Sequence, residues 1–298
     1  MRIFLTGGTG YLGRAILDAL VRGGQHVDAL VRTTDAAADV QRRGAYPVLG
    51  NLMQPATWRD AAAVADGIIH AATEYGARVR TVDQAALDVI CALPSREDRF
   101  VIYTSGNSVL GPAPLVVDET AAANPPDSMM WRQAHEARVL ALQSSGMRAI
   151  VVRPGIVYGG RRGIVGDLLK EASNGLIRII GSGENHWPLV YNRDVGELYL
   201  RLVKTPAASG IYHATDGADE TVNDLVSAIA SHTALPPTIR RVPLPEARKK
   251  MGSYADILAL DQRLASTRSR AIGWSPTLHS ASGAVPRLLE EWRMEEKR

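Results

Sequence analysis

The feature that most limits what this chain can become is the octet Thr6-Gly7-Gly8-Thr9-Gly10-Tyr11-Leu12-Gly13, set directly behind the apolar run Ile3-Phe4-Leu5. Gly8, Gly10 and Gly13 satisfy the spacing G-x-G-x-x-G, and Leu12, Ile16, Ala19 and Leu20 follow with helical period. In such a strand–turn–helix one glycine permits the tight turn, one lets backbone approach a diphosphate, and one lets helix and strand pack closely. The helix then offers free N–H groups and the positive end of its dipole to phosphate. A second β-branched run, Val27 to Arg32, completes the βαβ unit. The expected ligand is a dinucleotide held by Gly7, Gly10, Tyr11, Leu12 and Gly13.

Further short apolar runs at Tyr46 to Leu49, Ile68 to Ala72, Phe100 to Ser105 and Ala149 to Arg153 alternate with amphipathic segments. That alternation predicts an α/β fold, a doubly wound parallel (Rossmann) sheet with a smaller C-terminal substrate-binding region. After Pro154 the loop Gly159-Gly160-Arg161-Arg162-Gly163 marks the exit from the main sheet. Arg193 to Val203 and Ile211 to Ala214 read as a helix and strand returning to it. The expected division is therefore residues 1–158, with 190–215 returning, for the dinucleotide, and 159–189 with 216–298 for the substrate. Trp292 to Arg298 reads as a frayed polar helix end.

Which dinucleotide is bound turns on the end of the second strand. A site for NAD usually carries Asp or Glu there, accepting from the ribose diol; here the place holds Arg32 and Thr33. A guanidinium pairs bidentately with a 2′-phosphate, so NADP(H) is expected ahead of NAD(H). Asp28 or Asp35 would serve NAD if the strand ended elsewhere.

Composition removes other classes. The 298 residues are 46% hydrophobic and carry a net charge of only +3, and their longest basic run is Arg248-Lys249-Lys250, too little for a phosphate-tracking surface, so no nucleic-acid partner is expected. Cys91 is the single cysteine, which excludes an internal disulfide and a clustered zinc site and fits a reducing, cytoplasmic setting. The first apolar run stops too early for a signal peptide or a membrane span.

With these residues in hand, the chain resembles the extended short-chain dehydrogenase/reductase family, the group of nucleotide-sugar epimerases and dihydroflavonol-type reductases. Thr6 to Gly13 fits its TGxxGxxG, and Asn51-Leu52 sits where its adenine-contacting Asp-Leu lies. His70-Ala71-Ala72 matches the turn beneath the cofactor, Arg153-Pro154-Gly155-Ile156-Val157-Tyr158-Gly159 is similar to RPxxVYG along the nicotinamide, and Ala271 to Pro276 is similar to LGWxP. The resemblance adds Asn51, Leu52, Ala71, Ala72, Pro154 and Val157 to the cofactor set. It also implies a homodimer built by helices near 78–92 and 128–144.

The catalytic positions depart from that pattern. The family uses Ser or Thr, Tyr and Lys, with the lysine one turn after the tyrosine; this chain has no YxxxK. Alignment on Glu136 puts Ser128 at the tyrosine position and Arg132 at the lysine position, while Gly106 replaces the usual Ser/Thr between Ser105 and Ser108. The run Asp127 to Arg138 predicts a helix capped by Asp127 or Ser128, with Ser128, Arg132, His135 and Glu136 on one face. In the expected site Arg132 holds the nicotinamide ribose, Ser105 and Ser128 orient a substrate oxygen, and His135 or Tyr158 delivers a proton. Arg132 and Glu136 also read as an i,i+4 ion pair. Glu74, Tyr75, His186 and Tyr191 are expected at the pocket rim. The expected activity is NADP(H)-dependent reduction of a carbonyl or related unsaturated group of a small organic substrate. The alternatives are a non-redox isomerase, dehydratase or cyclase that retains the dinucleotide, and a regulatory protein similar to the NmrA-like members.

Overall fold

The structure, a computed structural model, describes residues 1–74, 76–96 and 98–296. Strand β1 (Arg2–Thr6) buries Ile3, Phe4 and Leu5 completely, and helix α1 (Tyr11–Arg22) packs Ile16, Leu17 and Leu20 over it. There follow β2 (His26–Val31), α2 (Thr34–Arg42), β3 (Tyr46–Leu49), the short α3 (Arg59–Val64), β4 (Gly67–His70), α4 (Val79–Ile90) and β5 (Phe100–Thr104). Next come β6 (Ala113–Val117), α5 (Met130–Leu140), β7 (Arg148–Pro154), β8 (Ile156–Tyr158), α6 (Gly163–Ser173), β9 (Leu176–Ile180), β10 (Leu189–Tyr191), α7 (Asn192–Val203) and β11 (Gly210–Ala214). The C-terminal part holds α8 (Val222–Ser231), β12 (Thr238–Val242), α9 (Leu244–Met251), α10 (Tyr254–Leu258), β13 (Gln262–Leu264), α11 (Thr267–Ala271) and α12 (Val285–Glu296).

Seven strands form one parallel sheet in the order β11-β7-β5-β4-β1-β2-β3. The strands read as near-continuous apolar runs because both faces of the sheet are covered by helices. Helices α1 and α7 approach so closely on one face that a Cβ on Gly196 would stand 2.4 Å from the Ala15 carbonyl oxygen. Strand order reverses between β1 and β4, and in such sheets the crevice outside the strands' C-terminal ends at that point takes the ligand.

A second core gathers Tyr158, Leu168, Leu169, Ile177, Trp187, Leu225, Leu288 and Trp292, largely from α6, α8 and α12. Two small parallel pairs, β9 with β12 and β6 with β13, tie segments that lie far apart in the chain, and the sequence reading did not anticipate them. The tail is also corrected. Trp292 is only 8% exposed and Arg161 stacks on its ring at 4.1 Å, so α12 (Val285–Glu296) is docked at Trp292 rather than frayed from there; the last two residues lie outside the described residues.

Candidate active site

The loop after β1 builds the cradle. Gly7, rather than Gly8, adopts the left-handed conformation (φ +79°), and a Cβ there would meet the Ala72 nitrogen at 2.5 Å. A Cβ on Gly13 would stand 1.9 Å from the Gly7 oxygen, so only glycine allows the helix to start this close to the turn. Gly10 N–H donates to Gly7 O at 2.8 Å, and α1 begins at Tyr11 with no side chain capping it. Its first N–H groups thus face the crevice.

From this cradle a cleft of about 870 Å³ runs along the C-terminal edge of the sheet. Its lining includes Gly7, Gly10, Tyr11, Leu12, Gly13, Arg32, Asn51, Leu52, Ala71, Ala72, Arg132, Pro154 and Val157, all but one of the residues expected around the cofactor. The exception is Thr33, whose Oγ1 accepts from the Ala36 amide at 3.2 Å and caps α2. β2 ends at Val31, which leaves Arg32 at the rim, exposed, with no hydrogen bond or ion pair to another described residue. Asp28 lies inside the strand, 3% exposed and paired with Arg2 at 2.5 Å, so it is not the ribose acceptor left open above. The glycine cradle, the free helix start and Arg32 all fit a dinucleotide.

The polar groups around α5 divide. Arg132 lines the cleft, donates through Nη1 to Thr104 O at 3.2 Å and lies over the Trp131 ring at 4.5 Å. Ser105, one residue past β5, also lines the cleft; its amide donates to Val152 O at 2.8 Å, and its buried Oγ has no partner among the described residues. Ser128 falls in a 3-10 turn, Asp127–Met129, that follows Pro125-Pro126. The α-helix starts only at Met130, so the helical face does not reach back to 128, and the expected Asp127 or Ser128 cap of α5 is replaced by Met129 without a side-chain bond.

His135 points away from the cleft. It is 4% exposed and donates from Nδ1 to Asp83 at 2.5 Å, while its Nε2 faces Gln84 Oε1 at 2.9 Å. Asp83 also accepts from His70 Nε2 at 3.2 Å and from the Tyr103 hydroxyl at 2.8 Å, and His70 Nδ1 meets Thr6 Oγ1 at 2.7 Å beneath the cradle. Burial pushes the Asp83 carboxyl up, but the bonds from His135 and His70 outweigh it and hold it well below the usual carboxylate range. Glu136 pairs with Arg153, not with Arg132, through a buried fork whose shortest contact is 2.5 Å. Tyr158 is fully buried in the second core, where its hydroxyl donates to Asp216 at 3.1 Å and its pKa is raised by burial.

Of the expected rim residues, Glu74 lines the cleft. His186 is engaged by Asp261 at 2.8 Å and by Arg263 at 2.7 Å, Tyr191 donates to Glu291 at 2.6 Å inside the second core, and Tyr75 lies outside the described residues. The sequence reading missed Tyr254, Ile257 and Leu258, which bring α10 over the cleft, and Asn107, Arg162 and Ile164. The two lobes are stapled by the Tyr11 hydroxyl, which donates to Gly159 O at 2.8 Å. Burial raises its pKa, which keeps it a donor. Among the described residues no group of His, Cys, Asp and Glu gathers as a metal site, and no helix is long and apolar enough to cross a membrane.

A doubly wound parallel sheet with a glycine cradle at its switch point and a long cleft toward a second lobe defines a dinucleotide-dependent α/β enzyme. The chain belongs to the NAD dependent epimerase/dehydratase family, whose model matches residues 3–215. Among its relatives is an uncharacterized protein of Schizosaccharomyces pombe, 30% identical over 286 residues, covering 93% of this chain and 95% of that one. Another is the 4-hydroxy-2-methyl-3-oxo-4-farnesyl-3,4-dihydroquinoline-1-oxide ketoreductase of Stigmatella aurantiaca, 30% identical over 261 residues and covering 83% of this chain and 78% of that one. In fold it is similar to the Thermus thermophilus UDP-glucose 4-epimerase complex with NAD, with a TM-score of 0.81 at 19% identity over 98% of this chain and 99% of that one. This protein is thus an enzyme of oxidoreductase type, with a nicotinamide dinucleotide as its cofactor.

Proposed function

We propose that the protein reduces a carbonyl or related unsaturated group of a small organic substrate with NADP(H). The observation that carries the reading is one continuous cleft that joins Arg32 at its adenosine end to Ser105, Arg132 and Tyr254. When bound, the cofactor supplies hydride to the carbonyl carbon. Arg32 pairs with the 2′-phosphate, an interaction NADH does not offer. Arg132, steadied by Thr104 O, holds the nicotinamide ribose, and the unpartnered Ser105 hydroxyl orients the substrate oxygen. Tyr254, a cleft-lining phenol, gives that oxygen its proton and so takes the role the sequence reading assigned to His135 or Tyr158. The ketoreductase among the relatives supports the direction of the chemistry.

The test follows the loss of reduced-nicotinamide absorbance with simple ketones, for NADPH and NADH side by side. Wild type is expected to prefer NADPH, and Arg32→Ser to lose roughly 10- to 100-fold of that preference, the worth of a charged hydrogen-bonded pair. Equal use of both cofactors by wild type overturns the NADP(H) assignment. The missing YxxxK favours a second reading, a non-redox isomerase, dehydratase or cyclase; bound dinucleotide that no ketone consumes is its signature. We also propose a homodimer formed through the outer faces of α4 and α5, which light scattering reads directly.

A further inference from the structure

We infer that the substrate carries a hydrocarbon tail, and that the tail lodges in a second, apolar chamber behind the cofactor cleft. The inference rests on the reductase reading above and names the class of compound that site takes. The chamber, about 460 Å³, lies among α6, β9, β12 and α9, in the range of cavities that hold small organic ligands. Its walls are Leu168, Ile179, Trp187, Val222 and Val242, each at most 8% exposed. Ile164 and Leu258 line both this chamber and the cleft, so the two spaces adjoin at those side chains.

The wall chemistry selects the occupant. The Trp187 indole N–H is already donated to Leu258 O at 3.0 Å, which leaves its ring to the chamber as carbon surface. The charged members of the lining are exposed or paired: Asp167, Lys170 and Lys250 are exposed at the rim, and half-buried Glu171 pairs with the exposed Arg178 at 2.8 Å. A sugar or a nucleotide base buried among these walls would give up its hydrogen bonds to water and find few replacements. A chain of methylenes gives up none and gains the transfer free energy of each buried group. The carbonyl then sits beside Ser105, with the tail passing beneath α10 and past Leu258.

The experiment measures kcat/KM with NADPH for methyl ketones from butanone to methyl octyl ketone, and the affinity for decanol by calorimetry in the presence of NADP. Burial of one methylene corresponds to roughly a threefold to fourfold gain, so kcat/KM is expected to climb by about that factor per carbon until the chamber is full. Ala247 lies in the chamber wall and is 2% exposed; Ala247→Phe fills the space and is expected to flatten the series and abolish decanol binding. A flat series in wild type, or decanol that does not bind wild type, overturns the chamber as a tail site. If no ketone of any length consumes NADPH, the reductase reading fails, and the decanol measurement still decides the chamber on its own.

Discussion

Helix α5 sends three polar side chains to three destinations within little more than one turn. Arg132 reaches the cleft through Thr104 O, His135 turns to Asp83 and Gln84 on α4, and Glu136 clasps Arg153 on β7. Each residue step rotates a side chain by about 100°, so positions 132, 135 and 136 share a broad face yet meet different neighbours along it. The buried groups among them are paired, as burial in low dielectric demands. In the function proposed above, the proton comes from Tyr254 on α10, which lines the cleft. Tyr254→Phe is expected to lower kcat by about 100-fold with KM little changed, since it removes only the proton transfer; an unaltered kcat returns the search to Ser105 or solvent. That Arg132 and Ser105 line the cleft was legible in the sequence, Arg132 from family spacing along a helix and Ser105 from its place at a strand end. Tyr254 was not, because nothing in Gly252-Ser253-Tyr254-Ala255 records that this stretch folds back over the N-terminal lobe.

At the scale of elements, β1, its glycine loop and α1 act as a single part. Two close approaches hold it in shape, Gly7 against Ala71 and Ala72, and Gly13 against Gly7 O. Gly13→Ala forces backbone to move, so stability is expected to fall by about 1–3 kcal/mol and NADPH affinity by at least ~10-fold, read by thermal unfolding and fluorescence titration. This unit was legible almost residue by residue, since its determinants are local: apolar run, glycines, amphipathic helix. The exception is instructive, because a G-x-G-x-x-G spacing says which residues are glycine and not which one turns left-handed; Gly7 does. The small pairs β9/β12 and β6/β13 left no such trace, since each joins short segments whose partners lie elsewhere in the chain.

At the scale of the whole molecule, the lobes meet around a buried acid. Asp216 follows β11, accepts from the Ala218 amide at 3.0 Å and from Tyr158, and burial pushes its carboxyl up to about 7 against those bonds. A carboxyl whose folded pKa exceeds its unfolded value near 4 contributes stability below about pH 4 and loses it as pH rises through about 7. Wild type is therefore expected to lose on the order of 2–4 kcal/mol across that window relative to Asp216→Asn, whose amide does not ionise. Thermal melts of both proteins from acid to mildly alkaline pH check this, and parallel curves would show that Asp216 ionises freely in the folded state.

The amino-acid sequence by itself determined the doubly wound sheet, the cradle and the Arg32 end of the cleft, because each depends on contacts between residues close along the chain or on the period of apolar side chains. Only the tertiary structure decided which polar groups face the cleft and which are sealed in the Asp83 and Asp216 networks. Those outcomes depend on how α4, α5 and α10 pack against partners distant in sequence, and packing between distant segments leaves no local pattern to read.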